Sequence, residues 1–220
     1  MRLAVDLIVF DWDGTLMDSA AKIVVCMQCA ARDLDLALPS CDEVENIIGL
    51  GLPQAVARLF PTLSVEGNER LQKKYAEHYV EKDKTQTPLF FGVERTLISL
   101  RRQGYRLAVA TGKSRKGLDR VFAETGTGAY FDSSRCADET ESKPHPLMLE
   151  ELLAELGCKA ERTLMVGDSE YDMEMAKNAG VKPVAVDYGV HSLDRLRRFD
   201  PVCCLSQIDE LMTHLGESLI

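Results

Sequence analysis

The sequence predicts an α/β fold in which a parallel β-sheet carries helices on both faces, the doubly wound arrangement. Short apolar runs rich in Val, Ile and Leu recur along the chain and each ends at a polar turn, as in strands that are buried on both faces. Amphipathic segments of helical period separate these runs, and such alternation of strand and helix is typical of a parallel sheet. One long stretch with helical signals predicts a helical insertion in this pattern.

The first predicted strand is the apolar run of residues 3–10, which ends at Asp11. Three further runs of the same kind predict strands at residues 106–110, 163–166 and 183–186. Weaker signals predict additional strands near residues 130–136 and around residues 202–204. The carboxyl ends of these strands are expected to meet at one edge of the sheet, where open α/β sheets bind their ligands.

Two amphipathic segments, residues 93–103 and Leu147–Leu156, are predicted helices that each precede a strand. Gly104 and Gly157 follow them directly. Glycine just after the last helical residue is a common stop signal, because it readily adopts a left-handed backbone conformation. Each helix with its following strand therefore forms one unit of the alternating pattern.

Residues 19–84 carry almost no strand signal and several helical ones. Ser19 is a predicted N-cap of one helix, and Ser64 precedes another. Ser40 with Glu43 forms a predicted capping box between them. A crossover between parallel strands needs only about a dozen residues, so the excess predicts a small helical domain inserted after the first strand. Its connections to the sheet are expected at residues 16–18 and about 85–91.

Composition and charge narrow the classes of function. The chain has 220 residues, of which 45% are hydrophobic, enough for a sizeable core. Its 26 Lys and Arg against 35 Asp and Glu give a formal charge of -9. This disfavours a nucleic-acid partner, because binding to a phosphate backbone needs clustered basic residues. The N-terminal segment matches neither a signal peptide nor a membrane span, so we expect a soluble cytoplasmic protein without a membrane partner. A monomer or a homodimer is a separate expectation.

Seven cysteines at irregular spacing argue against a disulfide framework, because an odd number cannot pair completely. Cys26 and Cys29 form a C-x-x-C pattern inside an apolar helical stretch. No second Cys or His pair stands at the spacing of a zinc site, so we expect buried free thiols.

The first polar cluster, Asp11-Trp12-Asp13-Gly14-Thr15, leaves the first predicted strand. Two carboxylates at positions i and i+2 take different acid–base roles when their surroundings separate their pKa values. A calcium loop of the EF-hand type is the competing interpretation. It fails because such a loop has glycine at its sixth position, whereas Gly14 is fourth here and Thr15 fifth.

The second cluster, Thr111-Gly112-Lys113, follows the strand predicted at residues 106–110. A hydroxyl with free amides at a strand-to-helix turn suits phosphate oxygens. A plain turn gives the same pattern, so the cluster alone leaves both interpretations open.

The third cluster is Lys143-Pro144-His145-Pro146. The prolines stiffen the backbone, and a lysine held in this way can neutralise a phosphoryl group. A surface lysine in a loop is the alternative, and His145 is expected to be a loop residue.

The fourth cluster spans residues 167–172, after the strand predicted at residues 163–166. Asp168 and Asp172 are spaced so that both side chains can face one site at the start of a helix. Carboxylate oxygens of this kind suit Mg²⁺. Capping of the helix by acidic residues is the alternative, and Asp172 fits that description as well.

Together and in this order, the clusters resemble the motifs of the haloacid dehalogenase (HAD) superfamily over nearly the whole chain. D-x-D-G-T followed by L-x-D-S stands at residues 11–19, Thr111 is the hydroxyl residue of the second motif, K-P-x-P begins at Lys143, and G-D-S-x-x-D spans residues 167–172. The resemblance implies a Rossmann-like core, residues 1–16 and 89–220. It also implies a helical cap of the C1 type, residues 17–88, as in subfamily IA.

The resemblance also implies roles for single residues. Asp11 would attack phosphorus and form an aspartyl-phosphate. Asp13 would protonate the leaving oxygen and then take a proton from water. Mg²⁺ would be held by Asp11, the backbone carbonyl of Asp13 and Asp168.

Phosphate binding is implied for three positions. Thr111, the Gly112 amide and Lys143 would contact phosphoryl oxygens, and Lys143 would add catalytic positive charge. Asp172 would orient Lys143 or the waters of the metal without touching the substrate. Gly112 departs from the Asn that many relatives carry.

Asp13 separates the branches of the superfamily, since the dehalogenase and phosphonatase branches lack a carboxylate there. The chain therefore resembles the phosphatases and the sugar phosphomutases. The motif D-G-T-L-x-D-S, the sequence of residues 47–52 and Gly92-Val93 resemble the phosphoglycolate phosphatase group. We expect hydrolysis of a phosphate monoester of a small metabolite, with a sugar phosphomutase as the alternative and a non-catalytic binding protein as a weaker one.

Substrate choice is expected to depend on the cap surface that faces the site. Residues 49–54 and Arg58 are the candidates. A cap arginine pairs well with a substrate carboxylate, but Arg58 is also placed to be an exposed helix residue.

Overall fold

Six parallel strands form one sheet in the computed structural model, which describes residues 4–216. The strands are β1 Leu7–Phe10, β2 Arg106–Thr111, β3 Ser133–Cys136, β4 Thr163–Gly167, β5 Lys182–Val186 and β6 Cys204–Leu205. Their order across the sheet is β3-β2-β1-β4-β5-β6. All five neighbouring pairs are parallel. The predicted doubly wound parallel sheet is confirmed, and its order reverses between β1 and β4, which is where sheets of this kind bind ligands.

Helices follow or precede every strand. They are α1 Ala20–Arg32, α2 Cys41–Glu45, α3 Leu52–Leu59, α4 Val65–Glu77, α5 Val93–Arg102, α6 Arg115–Thr125, α7 Leu147–Leu156, α8 Glu170–Asn178, α9 Leu193–Leu196 and α10 Glu210–Leu215. Helix α4 continues into a π-helical turn, His78–Lys82. Between residues 4 and 216, no helix has both the length and the apolar character that a membrane span requires.

The strand bounds differ slightly from those predicted. Strand β1 begins at Leu7 rather than at residue 3; residues 4–6 are irregular, and residue 3 lies outside the described part. Strand β3 begins at Ser133 because Thr127–Tyr130 form a 3₁₀ turn instead.

The apolar runs are explained by burial on both faces of the sheet. Along β1, Ile8 and Phe10 join the cluster that includes side chains of α5, α6 and α10. Leu7 and Val9 point the other way, into the cluster with α7 and α8. Because successive side chains of a strand alternate between faces, a strand covered on both sides must be apolar throughout.

The inserted segment, residues 17–88, contains α1 to α4 and a hydrophobic cluster of its own. Its two connections lie side by side, since Asp18 N donates to Pro88 O and Phe90 N donates to Leu16 O, at 2.9 and 3.0 Å. The division into a cap at 17–88 and a core at 1–16 and 89–220 stays a prediction, which the separate cluster supports. Residues 1–3 and 217–220 of that predicted core lie outside the described part.

Two of the three predicted helix caps in the inserted segment are confirmed. Ser40 and Glu43 form the reciprocal capping box at α2, and the Ser64 hydroxyl accepts from Gly67 N at α4. Ser19 precedes α1, but its side chain makes no capping hydrogen bond. It donates instead to Asp13 Oδ1 at 2.6 Å, so its contribution is to the polar edge of the sheet.

All seven cysteines lie among the described residues and are free thiols, so the prediction against a disulfide framework is confirmed. Cys26 is buried and Cys29 half-buried, but Cys41 is exposed. The expectation of buried thiols therefore holds for part of the set.

The core of the inserted segment gives a stability prediction. Leu71 of α4 is fully buried in it, and Leu71→Ala is expected to lower the free energy of unfolding by about 2–5 kcal/mol, through lost apolar contact and the cavity left behind. Val65→Ala, on the exposed side of the same helix, is the control, with a change below about 0.5 kcal/mol. Urea unfolding measures both, and equal effects would contradict a separate core here.

Candidate active site

Asp11 stands where β1 ends, at the point of strand reversal. Its backbone N–H donates to Val166 O at 2.9 Å, which ties it to the end of β4, and the residue is fully buried. One carboxylate oxygen, Oδ1, lies 2.7 Å from Lys143 Nζ. The other, Oδ2, has no hydrogen-bond partner among residues 4–216. A buried acceptor of this kind is costly unless a ligand or cation satisfies it.

Lys143 is the cation of the site, and it too is almost fully buried. Its ammonium lies between Asp11 Oδ1 and Asp172 Oδ1, 2.6 Å from the latter. Burial disfavours the charged form, but the two carboxylates outweigh burial and raise the pKa of Lys143 above its ordinary value. The interpretation of Lys143 as an exposed loop residue is therefore wrong.

Asp168 and Asp172 extend from the end of β4 and the start of α8. Asp168 accepts from Thr15 Oγ1 at 2.8 Å and from Val190 N at 2.9 Å. Asp172 Oδ2 accepts from both the backbone N–H and the hydroxyl of Ser169, which forms a capping box, while Oδ1 pairs with Lys143. The capping interpretation of Asp172 is thus confirmed, and the same carboxylate also contacts Lys143; its role at a metal site stays a prediction.

Glycine is needed where the first loop passes over Asp168. Gly14 has a φ of 83°, a left-handed conformation, and a Cβ there would overlap Asp168 Oδ2. The backbone of the D-x-D-G-T motif therefore lies against the carboxylate of Asp168, and the Thr15 hydroxyl donates a hydrogen bond to the same carboxylate.

Three buried carboxylates, Asp11, Asp168 and Asp172, offer oxygens that all lie within 4.8 Å of one another. Burial and then the negative charge of Asp172 together raise the pKa of Asp168 to about 7, although hydrogen bonds from Val190 and Thr15 oppose the rise. Burial also raises the pKa of Asp11 well above its usual range, although Lys143 opposes this. Hard oxygen donors with one unsatisfied member fit a divalent cation such as Mg²⁺, which would offset their mutual repulsion.

Asp13 is not a member of this carboxylate cluster. Its carboxylate accepts from Lys113 Nζ at 2.8 and 2.9 Å and from Ser19 Oγ. Neither Lys113 nor Ser19 is a site residue predicted from the sequence. The available signal for Lys113 was its place in the second cluster, two residues after a strand end, and the signal for Ser19 was its place in the L-x-D-S part of the first motif.

Thr111 and Gly112 end β2 and turn toward the inserted segment. The Thr111 hydroxyl is buried and accepts from Lys113 N at 3.2 Å. A Cβ at position 112 would lie 2.8 Å from Gly49 O and would overlap Leu50 O. The departure from Asn therefore has a physical reason, since no side chain fits between this turn and the inserted segment.

A cavity of about 390 Å³ opens beside Asp11 and Asp13 and runs under the inserted segment. Of the candidates at residues 49–54, Gly49, Leu50 and Leu52 line it, but Gly51, Pro53 and Gln54 do not. Arg58 lies outside it as well; its side chain is exposed and its guanidinium lies 5.6 Å from the centre of the Tyr171 ring. Of the two interpretations of Arg58, the exposed helix residue is the one observed.

The chain is similar to known proteins over most of its length. A model of the haloacid dehalogenase-like hydrolase family matches residues 8–186. The chain is 35% identical over 212 residues to the probable phosphatase IndB of Dickeya dadantii, covering 94% of this chain and 91% of that protein. It is 31% identical over 219 residues to a phosphoglycolate phosphatase of Mesorhizobium japonicum, covering 97% and 96%. The crystal structure of a predicted phosphoglycolate phosphatase from Haemophilus somnus matches with a TM-score of 0.86 and 26% identity, covering 96% and 97%.

The family model covers well over half of the chain, and relatives above 30% identity span nearly all of it. The chain therefore belongs to the haloacid dehalogenase-like hydrolase family, and it is a phosphatase-type hydrolase of that family.

Proposed function

We propose that the enzyme is a Mg²⁺-dependent phosphatase that hydrolyses a phosphate monoester of a small metabolite through an aspartyl-phosphate on Asp11. The observation that supports this most is the buried Asp11 carboxylate, with one oxygen against Lys143 and the other without a partner among residues 4–216. A fixed carboxylate with a free oxygen is suited to nucleophilic attack. The adjacent ammonium reduces the repulsion between that carboxylate and an incoming phosphate.

Asp11 and Asp168, with the backbone carbonyl of Asp13, would hold Mg²⁺. When bound, the cation supplies positive charge to phosphoryl oxygens, which carboxylates alone would repel. Asp172 is engaged by Lys143 and Ser169, and this supports an orienting role rather than direct metal binding.

In the proposed reaction a carboxylate oxygen of Asp11 attacks phosphorus in line while the bond to the leaving oxygen breaks. Asp13, protonated when the ester is bound, gives its proton to that oxygen and becomes a carboxylate. It then takes a proton from the water that attacks the aspartyl-phosphate, which releases phosphate and restores the protonated acid. Thr111, the Gly112 amide and Lys143 hold phosphoryl oxygens. Within this scheme Lys113 and Ser19 position Asp13, because their hydrogen bonds fix its carboxylate at the mouth of the cavity.

We further propose that residues 17–88 act as a cap over the site. Closure would exclude water other than the attacking molecule and would restrict substrates to small soluble esters rather than phosphoproteins. The names of the relatives support phosphoglycolate as the first ester to test.

The nucleophile can be tested by a matched pair of substitutions. Asp11→Asn is expected to lower kcat by about a thousandfold or more with Mg²⁺ present, because the amide is a poor nucleophile. Asp18→Asn makes the same chemical change at an exposed position of the same loop and is expected to keep kcat within about twofold. Phosphate release is the measurement, and turnover retained by Asp11→Asn would overturn the proposed mechanism.

Metal binding can be read from stability as well as activity. Saturating Mg²⁺ is expected to raise the melting temperature by about 5 °C, because it binds only the folded carboxylate cluster. Asp168→Asn removes one proposed ligand and should abolish most of this rise, whereas Asp194→Asn, with a side chain 93% exposed, should leave it intact. Chelation should remove phosphatase activity of the wild type. An equal rise in all three proteins would argue against the cluster as the site.

The position of Asp13 is expected to depend on Lys113. Lys113→Met removes both hydrogen bonds from the ammonium to this carboxylate, and we expect kcat to fall about tenfold to a hundredfold. Lys73→Met, at an exposed position of α4, is the control and should not change kcat. If Lys113→Met alters only KM, the lysine binds substrate rather than positioning the acid.

A further inference from the structure

The cavity beside Asp11 has two unlike sides. The inserted segment supplies most of its wall, including Ile23, Met27, Ile47, Leu52, Tyr75 and Val80. Among the described residues that line it, the inserted segment contributes no charged side chain, and its only polar ones are Tyr75 and Tyr79. The aromatic rings of these two lie 5.6 Å apart. The part of the cavity away from the nucleophile is therefore mostly hydrocarbon.

The basic side chains that line the cavity come from the other side, from α6 and the turn before it. Lys113 is engaged by Asp13. The Arg120 guanidinium lies 5.4 Å from the centre of the Tyr79 ring and 3.5 Å from Glu124. Lys116 is exposed. Arg58, the cap arginine considered for a substrate carboxylate, does not reach the cavity.

The part of the cavity lined by the inserted segment, with residues such as Met27, Ile47 and Val80, is called the chamber below. We infer that this chamber binds the alcohol part of the substrate and that this part is an apolar alkyl or aryl group; the inference rests on the proposed phosphatase function. An ester whose phosphate reaches Asp11 must place its remaining atoms toward Asp13 and the chamber, because the cavity opens from these two residues. A carboxylate or a sugar ring there would lose water and find, among the described residues, only the hydroxyls of Tyr75 and Tyr79 as polar partners on the wall of the inserted segment, too few to replace that water. A hydrocarbon group loses nothing comparable and gains contact area.

Polar and apolar phosphate esters of small metabolites both fit the proposed function, but they present different groups to the chamber wall. Phosphoglycolate carries a carboxylate one carbon from the ester oxygen, and sugar phosphates carry several hydroxyls. Both would present polar groups to the wall formed by residues such as Met27 and Ile47. An apolar ester of similar length would not.

A series of esters tests this directly with the wild-type enzyme and Mg²⁺. We expect kcat/KM to rise about threefold for each methylene from ethyl to butyl to hexyl phosphate. Butyl phosphate should exceed phosphoglycolate and glycerol 3-phosphate by about tenfold or more. A preference of tenfold for either polar ester over butyl phosphate would overturn the inference, as would a flat response to chain length.

A substitution in the wall provides the second test, chosen so that folding is not at risk. Val80 lines the chamber and is 52% exposed, whereas Val65 is 73% exposed and lies outside it. Val80→Thr keeps the shape but adds a hydroxyl, so the ratio of kcat/KM for hexyl phosphate to that for phosphoglycolate should fall about threefold. Val65→Thr should leave the ratio unchanged. An unchanged ratio in Val80→Thr contradicts the inference.

Failure of the inference and failure of the proposed function look different in these experiments. If phosphoglycolate is preferred and turnover still requires Asp11, only the apolar substrate class is wrong. If no ester is hydrolysed with Mg²⁺, or Asp11→Asn retains turnover, the phosphatase mechanism fails and the inference fails with it.

Discussion

The buried ammonium of Lys143 is the interaction on which the site depends. It lies between Asp11 and Asp172, and the side chains of all three are fully shielded from solvent. Burial of charges is unfavourable unless they are paired closely, and removing one partner of such a group typically costs about 3–5 kcal/mol. The loops after β1, β3 and β4 must therefore meet at one point, which is possible because the strand order places β1 beside β4 and all strands run in the same direction.

Because of this constraint, the three carboxylates differ in how many of their oxygens already accept a hydrogen bond or an ion pair. Asp172 is occupied by the lysine and by the first turn of α8, and Asp168 accepts from a hydroxyl and from a backbone amide. Asp11 alone keeps an oxygen without a partner among the described residues. The differences arise from the helix cap and from the turn at Gly14, so they are properties of the scaffold. Three aspartate side chains of the same chemistry thus differ in their hydrogen bonding. Asp11, which has an oxygen without a partner between residues 4 and 216, is the residue proposed as nucleophile.

Local pattern was sufficient to predict the strands and the positions of the polar clusters, because parallel strands expose their carboxyl ends at one edge. Pairings between distant segments were not predictable. The Lys113–Asp13 ion pair joins residues far apart in sequence, and the Ser19 hydroxyl was predicted as a helix cap rather than as a partner of Asp13. In the sequence, Gly112 stands where many relatives carry Asn, so a polar side chain is missing there. The physical reason is the close approach of the Leu50 carbonyl, which is present only when the inserted segment is packed on the sheet.

The inserted segment is held on the core partly through backbone atoms. Gly51 N donates to Ser142 Oγ at 2.8 Å, the Tyr171 hydroxyl donates to Asn46 O at 2.7 Å, and a backbone carbonyl covers Gly112. Contacts to backbone do not depend on the identity of the side chains that the segment presents to the cavity. Residues of the chamber wall are therefore free to change with the leaving group while the segment keeps its position. Since the charged groups that line the cavity come from the core and most of its apolar wall from the inserted segment, the residues proposed for chemistry and those proposed for substrate choice lie in physically separate parts of the chain.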